Sequence, residues 1–301
     1  MKYLYSIKAA DLKQQYKALG TDIARLLGDV EEFELLEDED GLRIWSPQIT
    51  GDSQFYSELS QNNSWYYLDD KREYDLAFDY IGDQSVLEVG CGEGHFARRK
   101  KFSSYTGLEL NRDAVTKAIG QGLDVRLQSL QDYAREHPAS VARVCSFQVL
   151  EHLAEPRAFF RDAHTALEPD GLLITAVPSE DSFAGSIRSN GLNAPPHHIT
   201  RWTDQCLKTL PSKQGFECLE LMHIPVEPVH YGWFWSTLLE RALQRDNANL
   251  SRRQRMAGRI LLQLLTSLGI TSFVPEDFCI PGHTVVAVHK KLARAGRCGS
   301  P

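Results

Sequence analysis

The stretch from Ser85 to Asn111, SVLEVGCGEGHFARRKKFSSYTGLELN, limits the fold more than any other part of the chain. Val86-Leu87-Glu88-Val89 is a short apolar run of strand-forming residues, and Gly90-Cys91-Gly92-Glu93-Gly94 is a glycine-rich turn. After a helical stretch, Tyr105-Thr106-Gly107-Leu108-Glu109 is a second strand that ends in an acid. Together these make half of a nucleotide-binding α/β unit. Glycine at alternate positions lets the backbone turn sharply and lets a ligand approach without a Cβ in the way. The free N–H groups that open the next helix then face that ligand. Glu109 lies 21 residues beyond Glu88, at the tip of the second strand, where a carboxylate can accept both hydroxyls of a ribose. The plain alternative for an isolated glycine loop is a tight strand-to-helix turn. A nicotinamide fingerprint places glycine three residues after its second glycine, and here that place is His95. The Gly-x-Gly-x-Gly spacing therefore argues against a dinucleotide and its pyrophosphate.

VLEVGCGEGHF followed by YTGLELN resembles the first motif and the acidic strand of the class I S-adenosylmethionine-dependent methyltransferases. The resemblance runs well from Tyr66 to Pro178. It implies an S-adenosyl-L-methionine site built from Glu88, Gly90, Cys91, Gly92, Gly94, Glu109 and Leu110. Asp124–Leu127 is expected as the third strand, and the turn after it, with Ser129 and Leu130, would hold the adenine. Many family members have aspartate at the position of Ser129; a serine hydroxyl can still bond the exocyclic amine. Val141–Phe147 is expected as the fourth strand, running into Gln148-Val149-Leu150-Glu151-His152 beside the methionine end of the cofactor. The Gln148 carbonyl could accept from the amino group there. Glu151 and His152 read either as an acid/base pair or as residues that fix the loop. Some quinone methyltransferases carry a glutamate at the position of Gln148 and bind a metal; glutamine is a poorer ligand, and no metal is expected. Pro156–Leu167 as a helix, Glu168–Gly171 as its turn and Leu172–Pro178 as the fifth strand extend the match.

The segment after the fifth strand should face the acceptor, because ligands in such sheets bind beyond the carboxyl ends of the strands. It ends LNAPPHHITRWT, a string that resembles a segment in a subgroup of the same family. Pro195 and Pro196 stiffen the backbone before His197 and His198. An imidazole titrating near neutrality suits removal of a hydroxyl proton as a methyl group arrives, so His197 and His198 are candidate bases, His197 preferred. Arg201 and Trp202 are expected to anchor the loop ahead of a helix over 203–210.

Composition sets the remaining bounds. A chain of 301 residues with 42% hydrophobic and 24% charged residues is that of a globular protein. The charge is uneven: residues 1–83 hold 18 acids against 8 bases, leaving 22 against 25 in the rest. Nothing suggests a nucleic-acid partner. The six cysteines have no ligand spacing, and a reducing cytoplasmic setting fits them. The opening residues have too short an apolar run for a signal peptide, and the run over 256–274 is broken by Arg259 and Gln263.

The N-terminal part reads as a helix over 9–27 and a hairpin, 33–36 with 42–45, around the acidic turn Glu37–Gly41. That turn is expected to be solvated, with a hard cation as the alternative. A helix is expected over 70–81, capped by Asp69 or Asp70; the resemblance implies that it lies over the cofactor, where Tyr66 or Tyr67 either shields the sulfonium or simply packs the helix onto the domain. Strands over 216–224 and 282–290 should close the sheet in antiparallel fashion. Between them, residues 231–268 combine Tyr231, Trp233, Phe234 and Trp235 with Arg252, Arg253, Arg255 and Arg259. This part reads as a helical cap or dimer face, or as a surface for peripheral membrane contact with a lipid-linked acceptor.

The expectation is a doubly wound α/β fold with a mostly parallel seven-stranded sheet, its last strand antiparallel. An N-terminal helix-hairpin appendage (1–60) and a helical insertion (231–279) flank a methyltransferase domain (61–230 and 280–292). The expected activity is methyl transfer to an acceptor oxygen of a small molecule, sugar or lipid-linked glycan. A module that binds S-adenosylmethionine without transferring methyl, and a nicotinamide oxidoreductase, remain as alternatives.

Overall fold

A computed structural model describes residues 1–63, 71–187, 190–243, 252–269, 271 and 281–293. The chain opens with strand β1 (Lys2–Lys8), helix α1 (Ala9–Ala18) and the short helix α2 (Ala24–Leu27). The hairpin β2 (Glu32–Glu37) and β3 (Arg43–Ser46) follows, then α3 (Ser53–Asn62) and α4 (Arg72–Ile81). The α/β unit comprises β4 (Ser85–Val89), α5 (His95–Arg99), β5 (Ser104–Glu109), α6 (Arg112–Gly120), β6 (Val125–Leu127), α7 (Leu130–Glu136), β7 (Val141–Phe147), α8 (Pro156–Ala166) and β8 (Leu167–Pro178). After it come β9 (Thr200–Arg201), α9 (Asp204–Ser212), β10 (Phe216–Pro225), α10 (Tyr231–Leu243), α11 (Arg252–Ser267) and β11 (Pro281–Lys291).

The main sheet has seven strands in the order β10-β11-β8-β7-β4-β5-β6. Strands β4 to β8 run parallel, whereas β11 is antiparallel to β8 and β10 is antiparallel to β11. The expected doubly wound sheet with a reversed end is therefore present. Chain order reverses at β4, flanked by β5 on one side and β7 on the other, and a crevice opens beyond the carboxyl ends of these strands. Neighbouring residues on one strand face opposite layers. Leu87, Val144 and Leu173 pack with Phe160 and Leu207 of α8 and α9. Val86, Cys145 and Ile174 pack with Tyr74 and Ala77 of α4.

Several helices start where the sequence supplies an acceptor for their first N–H groups. Asn111 caps α6 through Asp113 N and Ala114 N, Thr203 caps α9 through Cys206 N, and Pro156 occupies the first turn of α8. Helix α4 departs from expectation: its cap position is Lys71, with no side-chain cap bond, and Asp69 and Asp70 lie outside the described residues. The helix expected over 9–27 breaks after Ala18, because Gly20 takes a positive φ of 76° and Thr21 N turns back onto Tyr16 O. Glu168–Gly171 is a bulged continuation of β8 rather than a free turn, with a register shift between Val141 and Arg143.

A second, antiparallel sheet runs β1-β2-β3-β9. Its last strand belongs to the segment after β8, so the N-terminal unit is tied to that segment. The acidic turn of the hairpin is docked rather than solvated. Arg157 Nη2 donates to Asp38 Oδ2 at 2.6 Å and to Asp40 Oδ2 at 2.7 Å, and Lys213 reaches Asp40 Oδ1 at 2.5 Å. In the helical part, Phe234 of α10 is buried against Phe183, with ring centroids 5.4 Å apart. Ile260, Leu261 and Leu264 of α11 are exposed. Among the described residues no helix is long and apolar enough to cross a membrane. Residues 294–301 lie outside the described residues.

Candidate functional site

The loop from β4 to α5 is glycine-built because the backbone demands it. Gly90 has φ 72°, and a Cβ there would lie 2.5 Å from Val149 Cγ2. Gly92, at φ 53°, has open space above it. Its N–H donates to Glu109 Oε2 at 2.9 Å, while Leu110 N and Asn111 N donate to Oε1, each at 2.8 Å. Three backbone donors thus aim the Glu109 carboxylate across the mouth of the glycine loop. Behind it, Glu88 is buried and accepts from the Tyr105 hydroxyl at 2.5 Å. Burial pushes its carboxyl up to about 8, against the lowering effect of that hydrogen bond.

These groups open on a cavity of about 950 Å³. Of the residues expected at the site, Glu88, Gly90, Cys91, Gly92, Glu109, Leu110, Ser129, Leu130, Gln148, Val149, Glu151, His152, His197 and His198 all line it. Gly94 does not; it turns the chain into α5 with a left-handed φ of 80°. Ser129 lies on the wall but caps α7: Asp132 N donates to its Oγ at 3.1 Å, and its hydroxyl donates to Asp132 Oδ2 at 2.7 Å. The contact expected between this hydroxyl and an adenine amine would have to displace that pairing. Tyr66 and Tyr67, expected as a lid, lie outside the described residues.

At the far end, the turn after β7 and the loop after β8 are bonded together. Ile199 N donates to Glu151 O at 2.9 Å, Thr200 Oγ1 donates to Leu150 O at 3.0 Å, and His152 Nδ1 meets His197 O at 2.6 Å. His197 Nδ1 in turn meets Leu192 O at 2.9 Å, and the rings of His197 and His198 stack 4.2 Å apart. Both imidazoles are buried, and burial holds His197 down to about 3, His152 to about 4 and His198 well below the ordinary range. The near-neutral titration expected of the pair is therefore absent: these are neutral imidazoles at physiological pH, and weaker bases than a solvated histidine. Glu151, 1% exposed, is raised to about 8 by the same burial.

Sequence reasoning missed wall residues contributed by distant elements. Tyr56 of α3 places its hydroxyl 3.2 Å from His152 Nδ1, and Lys71, Glu73, Trp233 and His283 join the lining. No local motif marks them; tertiary packing alone brings them to the cavity.

A parallel sheet with a reversed end, a glycine cradle too tight at Gly90 for any Cβ, and a carboxylate at the tip of β5 define the S-adenosylmethionine-dependent methyltransferase class, and S-adenosyl-L-methionine is its cofactor. A family model described as a methyltransferase domain matches residues 67–221, more than half of the chain, which therefore belongs to that family. A probable S-adenosylmethionine-dependent methyltransferase of Mycolicibacterium smegmatis is 30% identical over 162 residues, covering 53% of this chain and 62% of the relative. The ubiquinone biosynthesis O-methyltransferase of Xanthomonas campestris pv. campestris is 28% identical over 155 residues, covering 44% and 65%. The chain thus spans just under two thirds of the length of these curated relatives. A solved S-adenosylmethionine-dependent methyltransferase from Archaeoglobus fulgidus is 17% identical with a TM-score of 0.47, over 72% of this chain and 94% of that one.

Proposed function

We propose that the protein transfers the methyl group of S-adenosylmethionine to an oxygen of a small-molecule, sugar or lipid-linked acceptor. The observation that carries this reading is the continuity of the cavity, which has Glu109 at one end and Glu151, His152, His197 and His198 at the other. When bound, S-adenosylmethionine supplies an electrophilic methyl on a sulfonium. Gly90, Gly92 and Glu109 would hold its nucleoside, and Gln148 and Val149 its methionine end. The chain's own work is then positioning for in-line attack, with neutral imidazoles able to take the hydroxyl proton. Burial disfavours imidazolium, and Glu151, with Oε1 4.0 Å from Nε2 of both His152 and His198, is itself held to about 8, so it would offset the charge that forms only in its ionised form. Among the relatives, the Xanthomonas O-methyltransferase supports oxygen as the accepting atom. We place the chain in the subgroup with the Pro-Pro-His-His segment, with 1–60 as an appendage and 231–279 as an insertion, whose part 231–268 serves as a cap or dimer face, or else as a surface for a lipid-linked acceptor.

The test is an acceptor screen read by S-adenosylhomocysteine release, with the position of the new methyl fixed by NMR. With a saturating acceptor, His197→Ala or His198→Ala should lower turnover by roughly a hundredfold or more. Full turnover in both variants would exclude the pair from proton removal, and a methyl on nitrogen or carbon would exclude O-methylation.

A further inference from the structure

We propose that His152, His197 and His198 form a binding site for a divalent first-row transition ion, zinc by their donor chemistry, beside the buried carboxylate of Glu151. One nitrogen from each of the three rings lies within 4.8 Å of the other two. Two of the rings have Nδ1 turned onto a carbonyl oxygen, His152 onto His197 O at 2.6 Å and His197 onto Leu192 O at 2.9 Å, and His198 Nδ1 faces the Asn193 side-chain amide at 3.1 Å. A proton held at Nδ1 by an oxygen leaves the lone pair on Nε2, and metal-ligating histidines are oriented in this way.

The carboxylate is the second, independent observation. Nε2 of His152 and Nε2 of His198 both stand 4.0 Å from Glu151 Oε1. Glu151 is 1% exposed, and among the described residues neither of its oxygens has a hydrogen-bond partner. A buried carboxylate without a partner is costly, and a dication held by the neighbouring imidazoles would remove that cost. Tetrahedral zinc at about 2.0–2.1 Å from nitrogen needs ligand atoms roughly 3.4 Å apart and in the plane of each ring, so the stacked rings of His197 and His198, 22° from parallel, would have to turn out of their stack to close the site.

The Asn193 amide sets the third tautomer. Turned the other way, its nitrogen donates to His198 Nδ1 at 3.1 Å and its oxygen accepts from Arg201 at 3.2 and 3.3 Å, which puts the His198 proton on Nε2. Metal binding would require the other orientation, with Oδ1 on His198 and Nδ2 on Glu180 at 3.3 Å, at the cost of setting Nδ2 against the Arg201 guanidinium.

Because all three histidines line the cavity, a further coordination position faces it, as in catalytic rather than closed structural sites. The site departs from the absence of metal expected from Gln148, because it needs no ligand at that position. An acceptor hydroxyl on the open position would lose its proton to Glu151, its oxygen would form the new O–CH3 bond as the S–CH3 bond breaks, and neutral S-adenosylhomocysteine would leave. That use of the ion rests on oxygen as the accepting atom and would move the proton's destination from the imidazoles to Glu151; binding of the ion rests on neither.

The experiment is calorimetric titration of the whole chain, stripped with chelator, with Zn2+, paired with visible spectra of the Co2+ form. One equivalent of Zn2+ should bind, and His152→Ala and His198→Ala should each weaken it at least tenfold while S-adenosylmethionine binding survives. If either variant fails to fold, His152→Gln and His198→Gln replace it, and the Co2+ spectrum of the unaltered protein decides whether nitrogen ligands are present. No Zn2+ binding by the folded protein, an aquo-like Co2+ spectrum, or equal binding by the variants would overturn the site. Zn2+ binding without S-adenosylmethionine binding would keep the site and remove the methyl-transfer reading.

Discussion

Gly92 donates its backbone N–H to Glu109 Oε2 at 2.9 Å, bridging the glycine loop and the tip of β5. With Leu110 N and Asn111 N on the other oxygen, the carboxylate is fixed before any ribose arrives. Hydrogen bonds to a charged acceptor contribute about 1.5–3 kcal/mol each. Glu109→Ala should therefore weaken S-adenosylmethionine roughly tenfold to a hundredfold, and it should speed amide exchange at Gly92, Leu110 and Asn111. Hydrogen exchange that is unchanged at Gly92 would show that the loop does not depend on the carboxylate.

The two glycines of that loop should respond differently to alanine. At Gly90 the added Cβ meets Val149 Cγ2 at 2.5 Å on a positive φ, so both strain and collision follow. A cost of roughly 1–3 kcal/mol is expected, lowering the melting temperature by several degrees. At Gly92 only the backbone conformation resists, and the loss of stability should be smaller while cofactor binding still suffers. Calorimetry and thermal melts on both variants separate the two effects; equal melting losses would contradict the account.

Glu180 joins the N-terminal sheet to the loop after β8, with Arg43 at 2.6 Å and Arg201 at 2.5 Å, both on a carboxylate whose side chain is 2% exposed. Glu180→Ala would leave two guanidinium groups without their shared partner, one of them fully buried, at a cost on the order of 3–5 kcal/mol. Lys290→Ala, which removes only the exposed partner of Asp170, should leave the urea midpoint unchanged. Similar midpoints for the two variants would show that Glu180 is not the tie.

Stability should pass through a maximum near pH 6.5. Burial holds His283 to about 3 and His289 to about 4, whereas the unfolded chain binds those protons at about 6.5. The unfolded state therefore gains as pH falls below that value. Glu88 acts in the opposite sense. The fold keeps its proton up to about 8, the unfolded chain releases it near about 4.3, and stability is lost as pH rises across that interval. The buried histidines, His152, His197 and His198 among them, outweigh the two raised carboxyls below about pH 6.5, and above it Glu88 and Glu151, both held to about 8, act together. Urea midpoints at several pH values should trace this dome, and Glu88→Gln should flatten its alkaline side. A midpoint that rises steadily to about pH 8 would contradict it.

The α/β core was legible because its signals are local. Val86–Val89, the glycine loop and Glu109 mark their own strand, turn and strand, and β7 falls on 141–147 as expected. What stayed hidden depends on contacts between distant parts. Thr200–Arg201 gives no sign of pairing with β3, and Tyr56 none of meeting His152. The acidic turn looked solvated because Arg157 and Lys213, its partners, lie far along the chain. The titration of His197 and His198 was misjudged because burial is a property of the whole fold. Ser129, expected to meet a ligand and present on the cavity wall, also caps α7 with Asp132, three residues on.

The central claim is that the crevice beyond β4 and β5 holds S-adenosylmethionine. Calorimetric titration of the whole chain with S-adenosylmethionine and S-adenosylhomocysteine tests it most directly. The account predicts one site with micromolar affinity for both, sharply weakened by Glu109→Ala. Absence of binding by the folded, unaltered protein would contradict it.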